Sequence, residues 1–228
     1  MHKNGKYFFS IIKYSEFIRA VWDPHVYKRN GSKHALHDFA VVARPPLKRI
    51  VGEQTAFQPI EYRDIPEGHY LSFALRPQAR HGKLASAVVG ENALLFGTMR
   101  AYLGNIIVTP MADWIDEEGP IHFPVKSEFV VITPNDDLPY YWLAYLRSHH
   151  FLDNLPLGSG GTRPRLNPEL LAETPITVPP LSTRVSIHNQ LKELAMNEWQ
   201  NYRKVSLAIN SLTQKTQWPT SPQMNSNH

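Results

Sequence analysis

The chain has 228 residues, no cysteine and a formal net charge of +4, with an isoelectric point near 9.2. That length holds one ordinary domain with an appendage and buries a genuine core, while the lack of cysteine excludes disulfides, thiolate metal sites and cysteine nucleophiles. The opening MHKNGKYFFSIIKYSEF has a short apolar patch broken by Lys13 and no small-residue cleavage site. No stretch of the chain is apolar enough to span a bilayer, so neither secretion nor membrane insertion is expected, and the composition fits a reducing cytoplasm.

The charge is uneven. Residues 1–50 hold ten Lys or Arg against three acids, and the remainder of the chain sums to −3. A basic stretch supplies the salt-dependent attraction to phosphate that underlies most nucleic-acid binding, a solvated surface being the bland alternative. Lys48 and Arg49, at the end of this stretch, are candidate DNA contacts.

Nineteen prolines break most of the chain into short pieces, which favours strands and loops over long helices. In chain order, FAVVA at 39–43, SAVV at 86–89, NALLFG at 92–97, GNIIVTP at 104–110 and SEFVVITP at 127–134 are apolar runs closed by Gly or Pro. They are predicted strands of a mostly β body. LPYYWLAYLRSHHFLDNL at 138–155 is a predicted helix, with Pro139 suited to its first turn and Trp142, Leu143, Leu146 and Phe151 as apolar positions.

A second helix is predicted after Pro179-Pro180-Leu181, with Ser182 as N-cap, running without Pro or Gly to about residue 214. Ile187, Leu191, Ala195, Trp199, Tyr202, Val205, Ile209 and Leu212 cover 25 residues in seven steps, a period between a straight helix and a heptad seam. About thirty helical residues extend ~45 Å, more than the body covers, so a partner helix is expected. The final TQWPTSPQMNSNH reads as a disordered tail. The expected organisation is α+β: a body over 1–181, a long helix over 182–214 and a tail over 215–228, with no internal repeat.

Arg100 and Tyr102 lie in a Met-Arg-Ala-Tyr-Leu-Gly turn between apolar strands, where loop tips on a rigid sheet commonly carry contacts. Arginine grips phosphate or guanine and tyrosine stacks; the structural alternative pairs Arg100 with an acid and buries Tyr102. Arg163 and Arg165 flank Pro164 after a glycine-rich turn, a cationic loop suited to phosphate, with an Arg165–Glu169 ion pair as the alternative. Lys126, ahead of the SEFVVITP strand, joins them as a candidate DNA contact.

Catalytic patterns are missing. There is no Gly-x-Ser-x-Gly elbow, no Gly-x-Gly-x-x-Gly turn and no Asn/Asp-Pro-Pro-Tyr/Phe motif, so neither hydrolysis nor methyl transfer from a bound cofactor is expected. His149-His150 are adjacent on a helix and point about 100° apart, which gives no metal geometry. The acidic run Asp113, Asp116, Glu117, Glu118 reads as a solvated loop. No cofactor and no metal are expected.

The segment GSGGTRPRLNPELLAETPITVPPLSTRVSI at 158–187 resembles the end of a target-recognition domain of type I restriction-modification specificity subunits. The parallels are Gly160-Gly161, the arginine turn, a short helix PELLAE, the strand ITVPPL and then the long helix. LLFGTMRAYLGNIIVTP, SEFVVITP and LPYYWLAYLRSHHFLDNL are similar to the family's preceding strands and helix, IEYRDIPEGHY at 60–70 to an early strand, and Trp22-Asp23-Pro24 with Tyr27 to its opening segment. The resemblance covers about residues 16–214. One departure is Thr183-Arg184, where the family usually has Glu-Gln.

By that resemblance the chain is a half-subunit, non-catalytic itself, whose recognition domain binds double-stranded DNA. Its long helix pairs with a second copy through Ile187, Leu191, Trp199, Tyr202, Val205, Ile209 and Leu212, and it serves methyltransferase (M) and restriction (R) subunits at a two-part site. The alternative, motivated by Thr183-Arg184, is a stand-alone DNA-binding or regulatory protein that kept the fold without those partners.

Overall fold

The computed structural model describes residues 34–50, 57–66, 71–76, 84–115 and 121–215. The opening segment with Trp22-Asp23-Pro24, most of the basic stretch, Asp116 to Glu118 and the proposed tail lie outside these residues.

Short apolar runs do become strands, and among the described residues the ladders between strands are antiparallel. The central sheet has the order β2-β8-β5-β6, built from β2 (Ala40–Ala43), β5 (Leu94–Gly97), β6 (Ile106–Val108) and β8 (Phe129–Pro134). Every residue of β5 and of β6 is buried, so these two strands read as continuous apolar runs because both of their faces are covered. A second sheet has the order β3-β4-β7, from β3 (Leu47–Ile50), β4 (Leu84–Val89) and β7 (Phe123–Val125). A two-residue pair, β1 (His34–Ala35) with β9 (Pro175–Ile176), closes the body.

IEYRDIPEGHY departs from the expected strand. Ile60 forms one parallel bridge to Val125 and Tyr62–Asp64 is a 3-10 turn. The cause is local competition for the backbone: Asp64 accepts the Glu61 N–H at 2.8 Å and is held in turn by Arg76.

Among the described residues five α-helices dress the sheets: α1 (Ala112–Ile115), α2 (Pro139–Arg147), α3 (His149–Leu152), α4 (Pro168–Ala172) and α5 (Leu181–Lys215). The predicted 138–155 helix is two, broken at Ser148, whose ψ of 146° is extended and whose hydroxyl caps α3 at Phe151 N. α2 begins with Pro139 and buries Tyr140, Trp142, Leu143 and Leu146. α5 begins at Leu181, one residue before the expected cap, so Ser182 lies in its first turn; the Pro180 carbonyl accepts from Thr183 N and Arg184 N. The fold is thus α+β, with a long C-terminal helix.

α5 is fixed to the body at two levels. Near its start Arg184 is ion-paired with Asp136, which also accepts from Trp142 Nε1 at 3.0 Å. About three and four turns on, Ala195 and Trp199 are fully buried, Trp199 standing edge-on to Phe73 at 5.2 Å between centroids. Glu198 accepts the backbone N–H groups of Leu71, at 2.8 Å, and Ser72. Arg184 is therefore an intrachain anchor.

Candidate nucleic-acid interface

Two loops distant in sequence are locked into one edge of the body. Arg100 adopts the left-handed conformation at φ 50°, ψ 51°, uncommon for a residue with a Cβ and so held by its surroundings. Its backbone N–H donates to Pro164 O at 2.8 Å and its guanidinium to Thr162 O at 3.3 Å. Ser159 and Arg165 exchange backbone hydrogen bonds, Met99 bridges Arg165, and Leu166 N donates to Thr98 O at 2.9 Å. Gly158 permits this closure, since a Cβ there would stand 2.8 Å from the Arg165 carbonyl carbon.

This packing brings Arg100, Arg163 and Arg165 together on the surface, with the Arg165 side chain 64% exposed. Arg165 reaches Glu128 at 3.8 Å, in place of the Glu169 pairing that its sequence position suggested. Tyr102 is 58% exposed at the turn's tip beside exposed Leu103, so it is not a core residue.

The neighbouring wall is the 58–64 segment. Arg76 donates through Nε and Nη2 to the buried Asp64 carboxylate at 2.6 and 2.9 Å and to Pro59 O at 3.0 Å. The Asp64 hydrogen bonds raise the Arg76 pKa above its ordinary value, against the opposing effect of burial. The staple presents Glu61 and Arg63 outward. Glu61 pairs with Arg63 at 2.9 Å and Lys126 at 3.4 Å.

Between the two walls lies a cleft of about 320 Å³ with Tyr62, Met99 and Phe129 inside and Glu61, Arg63, Lys126 and Glu128 around it. Burial pushes the Tyr62 phenol up to about 12. It remains protonated, accepting from Met99 N at 2.9 Å and donating to Glu128 O at 3.2 Å. Gly97 makes room for its ring, for a Cβ there would come within 2.7 Å of it.

Lys48 and Arg49 fall on β3, their backbones paired with Ser86 and Ala85 of β4, whose other neighbour β7 leads directly into Lys126. Their side chains lie outside the described ones. Among the described residues no group of three or more His, Asp or Glu is arranged to hold a metal ion, and no helix is long and apolar enough to cross a membrane.

The predicted helix stripe divides. Ile187 and Leu191 are half-buried against the core and Trp199 is inside it. Tyr202, Val205, Ile209 and Leu212 are exposed.

Sequence reasoning missed Glu61, Arg63, Asp64, Arg76 and Glu128. Arg76 and Asp64 are twelve residues apart and Arg76 lies in no quoted motif; Asp64 and Glu128 sit in segments read as strands, IEYRDIPEGHY and SEFVVITP, where nothing local marks them as site residues. Only tertiary folding gathers them.

No family model and no curated protein matches the chain. Among solved structures, one described as concerning complex assembly and conformational transition of the type I R-M system aligns over 79% of this chain and 42% of that one, at 16% identity and a TM-score of 0.44. The chain thus spans less than half the length of that neighbour.

Proposed function

We propose that this protein recognises double-stranded DNA as a specificity component of a type I restriction-modification system, with chemistry delegated to methyltransferase and restriction subunits. The observation that carries the DNA reading is the convergence of Arg100, Arg163 and Arg165 on one edge, next to the Lys126 and Arg63 wall. These guanidinium and ammonium groups come from loops tied to a rigid sheet, the arrangement in which phosphate contacts set register on a duplex. The assignment to the restriction-modification class rests on the ordered motifs of residues 158–187 and their upstream counterparts.

Pairing of two copies through α5 belongs to the same reading. Tyr202, Val205, Ile209 and Leu212 follow one another at steps of three, four and three, the alternation of a heptad seam. They are exposed on a helix whose earlier turns are docked.

Duplex binding is expected to weaken steeply with salt, and Arg163→Ala and Arg165→Ala are each expected to weaken it across all sequences and to reduce the slope of log affinity against log salt by roughly one unit. Fluorescence anisotropy between low and high salt measures both. Salt-independent binding, or variants with the parent's slope, refutes the DNA interface.

A further inference from the structure

Carboxylates are poor neighbours for a polyanion. Yet Glu61 and Glu128 both line the cleft alongside Arg63 and Lys126, each side chain about 30% exposed. Their situations differ in a way that assigns them different tasks.

Glu61 is surrounded. Arg63 lies 2.9 Å away, Lys126 3.4 Å and Arg76 3.9 Å, so its charge is used inside the chain to orient cations. Among the described residues Glu128 has one ion-pair partner, Arg165, at 3.8 Å, a distance beyond a hydrogen bond. Its backbone, by contrast, is pinned: Glu128 O accepts from Thr98 N at 2.8 Å, Thr98 Oγ1 at 2.8 Å and Tyr62 Oη at 3.2 Å. The result is a carboxylate on a rigid support, with acceptor capacity to spare and an exposed arginine side chain alongside.

We infer that Glu128 is a base-reading residue: its carboxylate accepts a hydrogen bond from an exocyclic amino group, cytosine N4 or adenine N6, in the major groove, while Arg165 swings from it to an adjacent phosphate or guanine. The inference rests on the DNA reading above and deepens it. In the major groove those amines are the only donors a base offers, and a carboxylate, which accepts and cannot donate, selects them over the O4 and O6 acceptors of thymine and guanine. The charge repulsion that makes an unsatisfied carboxylate costly at a phosphate surface is what sharpens the choice. Glu61, saturated by cations, contributes no such selection.

The test is selection from a randomised duplex library with the full chain, followed by sequencing of the enriched pool. Wild type is expected to require an amine-bearing base at one position, the sequence itself deciding between cytosine and adenine. Glu128→Ala is expected to lose that preference by on the order of tenfold or more while the other positions of the consensus hold. Glu128→Gln, the closest in shape, changes the preferred base at that position. Glu61→Gln, which removes the charge that orients Arg63 and Lys126, changes affinity for all duplexes alike and shifts no base preference.

An unchanged consensus in both Glu128 variants, with wild type still selective, overturns this inference and leaves the DNA reading standing. A wild-type chain that enriches nothing and shows no salt-dependent duplex binding overturns both.

Discussion

The first half of α5 and its second half are one uninterrupted helix with opposite relations to the rest of the chain. From Arg184 to Trp199 the apolar positions Ile187, Leu191, Ala195 and Trp199 recur every fourth residue and turn inward, Ala195 and Trp199 to full burial. From Tyr202, which still touches Trp199 and reaches Leu75 O at 3.5 Å, the steps alternate between three and four and the side chains that follow are exposed, Val205 to 58%. A constant step of four follows the ridge by which helices lie across a globular body, whereas three-four alternation keeps a seam facing a parallel or antiparallel partner helix. Under the pairing reading one helix does two jobs, and the change in step marks the border.

If the border is real, substitutions on its two sides fail differently. The largest effect belongs to Trp199, fully buried against Phe73 and Tyr202. Trp199→Ala is expected to cost about 3–5 kcal/mol of stability through lost burial and the cavity left behind, measured by denaturant unfolding. Arg184→Ala comes next. Removing one partner of a largely buried pair strands Asp136, whose remaining donors are Trp142 Nε1 and Leu138 N, and is expected to cost about 3 kcal/mol. A loss below about 0.5 kcal/mol in either variant contradicts a docked first half.

A smaller, pH-dependent effect sits between them on the helix. His188 is buried, packs edge-on to Tyr140 at 5.7 Å, and is surrounded by Asp136, Asp137 and Lys192. Burial lowers its pKa below 6.5, opposed by the nearby Leu138 backbone. The folded state therefore binds this proton less readily than the unfolded chain does. The stability it protects is present above pH 6.5 and is lost as pH falls through the lowered folded value. His188→Gln should flatten the stability profile in that acidic window, read by thermal unfolding at stepped pH. A wild-type profile already flat there removes the basis for the effect.

The two regions also differ in how far sequence alone revealed them. The five apolar runs, Pro139 at the start of α2 and the Pro- and Gly-free stretch of α5 were legible because local composition dictates local structure at those positions. The break at Ser148 was not, because it depends on a hydroxyl competing for a backbone N–H within a continuous apolar pattern. β3 was missed for another reason: Leu47–Ile50 carries Lys48 and Arg49 at its centre and gains its place by pairing with β4. The candidate site was half visible. Arg100, Arg163 and Arg165 stood out as loop cations, but that they meet, and that Arg165 faces Glu128 and not Glu169, follows from contacts across more than sixty residues of chain and from a close approach that only Gly158 allows.

The smallest expected change in stability accompanies the largest expected change in assembly. Val205 is exposed and lies beyond the docked turns, so Val205→Asp should shift the unfolding free energy by no more than about 0.5 kcal/mol, as surface substitutions do. Under the pairing reading the same substitution places a charge in a seam flanked by Tyr202 and Ile209, where desolvating an unpaired carboxylate opposes association. Light scattering at micromolar concentration should then find a dimer for the parent chain and a monomer for Val205→Asp. Leu191→Asp serves as the contrast, since its side chain packs against the chain's own core and its loss is felt first as unfolding. A parent that is already monomeric ends the pairing proposal and leaves the second half of α5 as a surface for a different protein. A Val205→Asp variant that unfolds instead of dissociating moves the border of the docked region past residue 205.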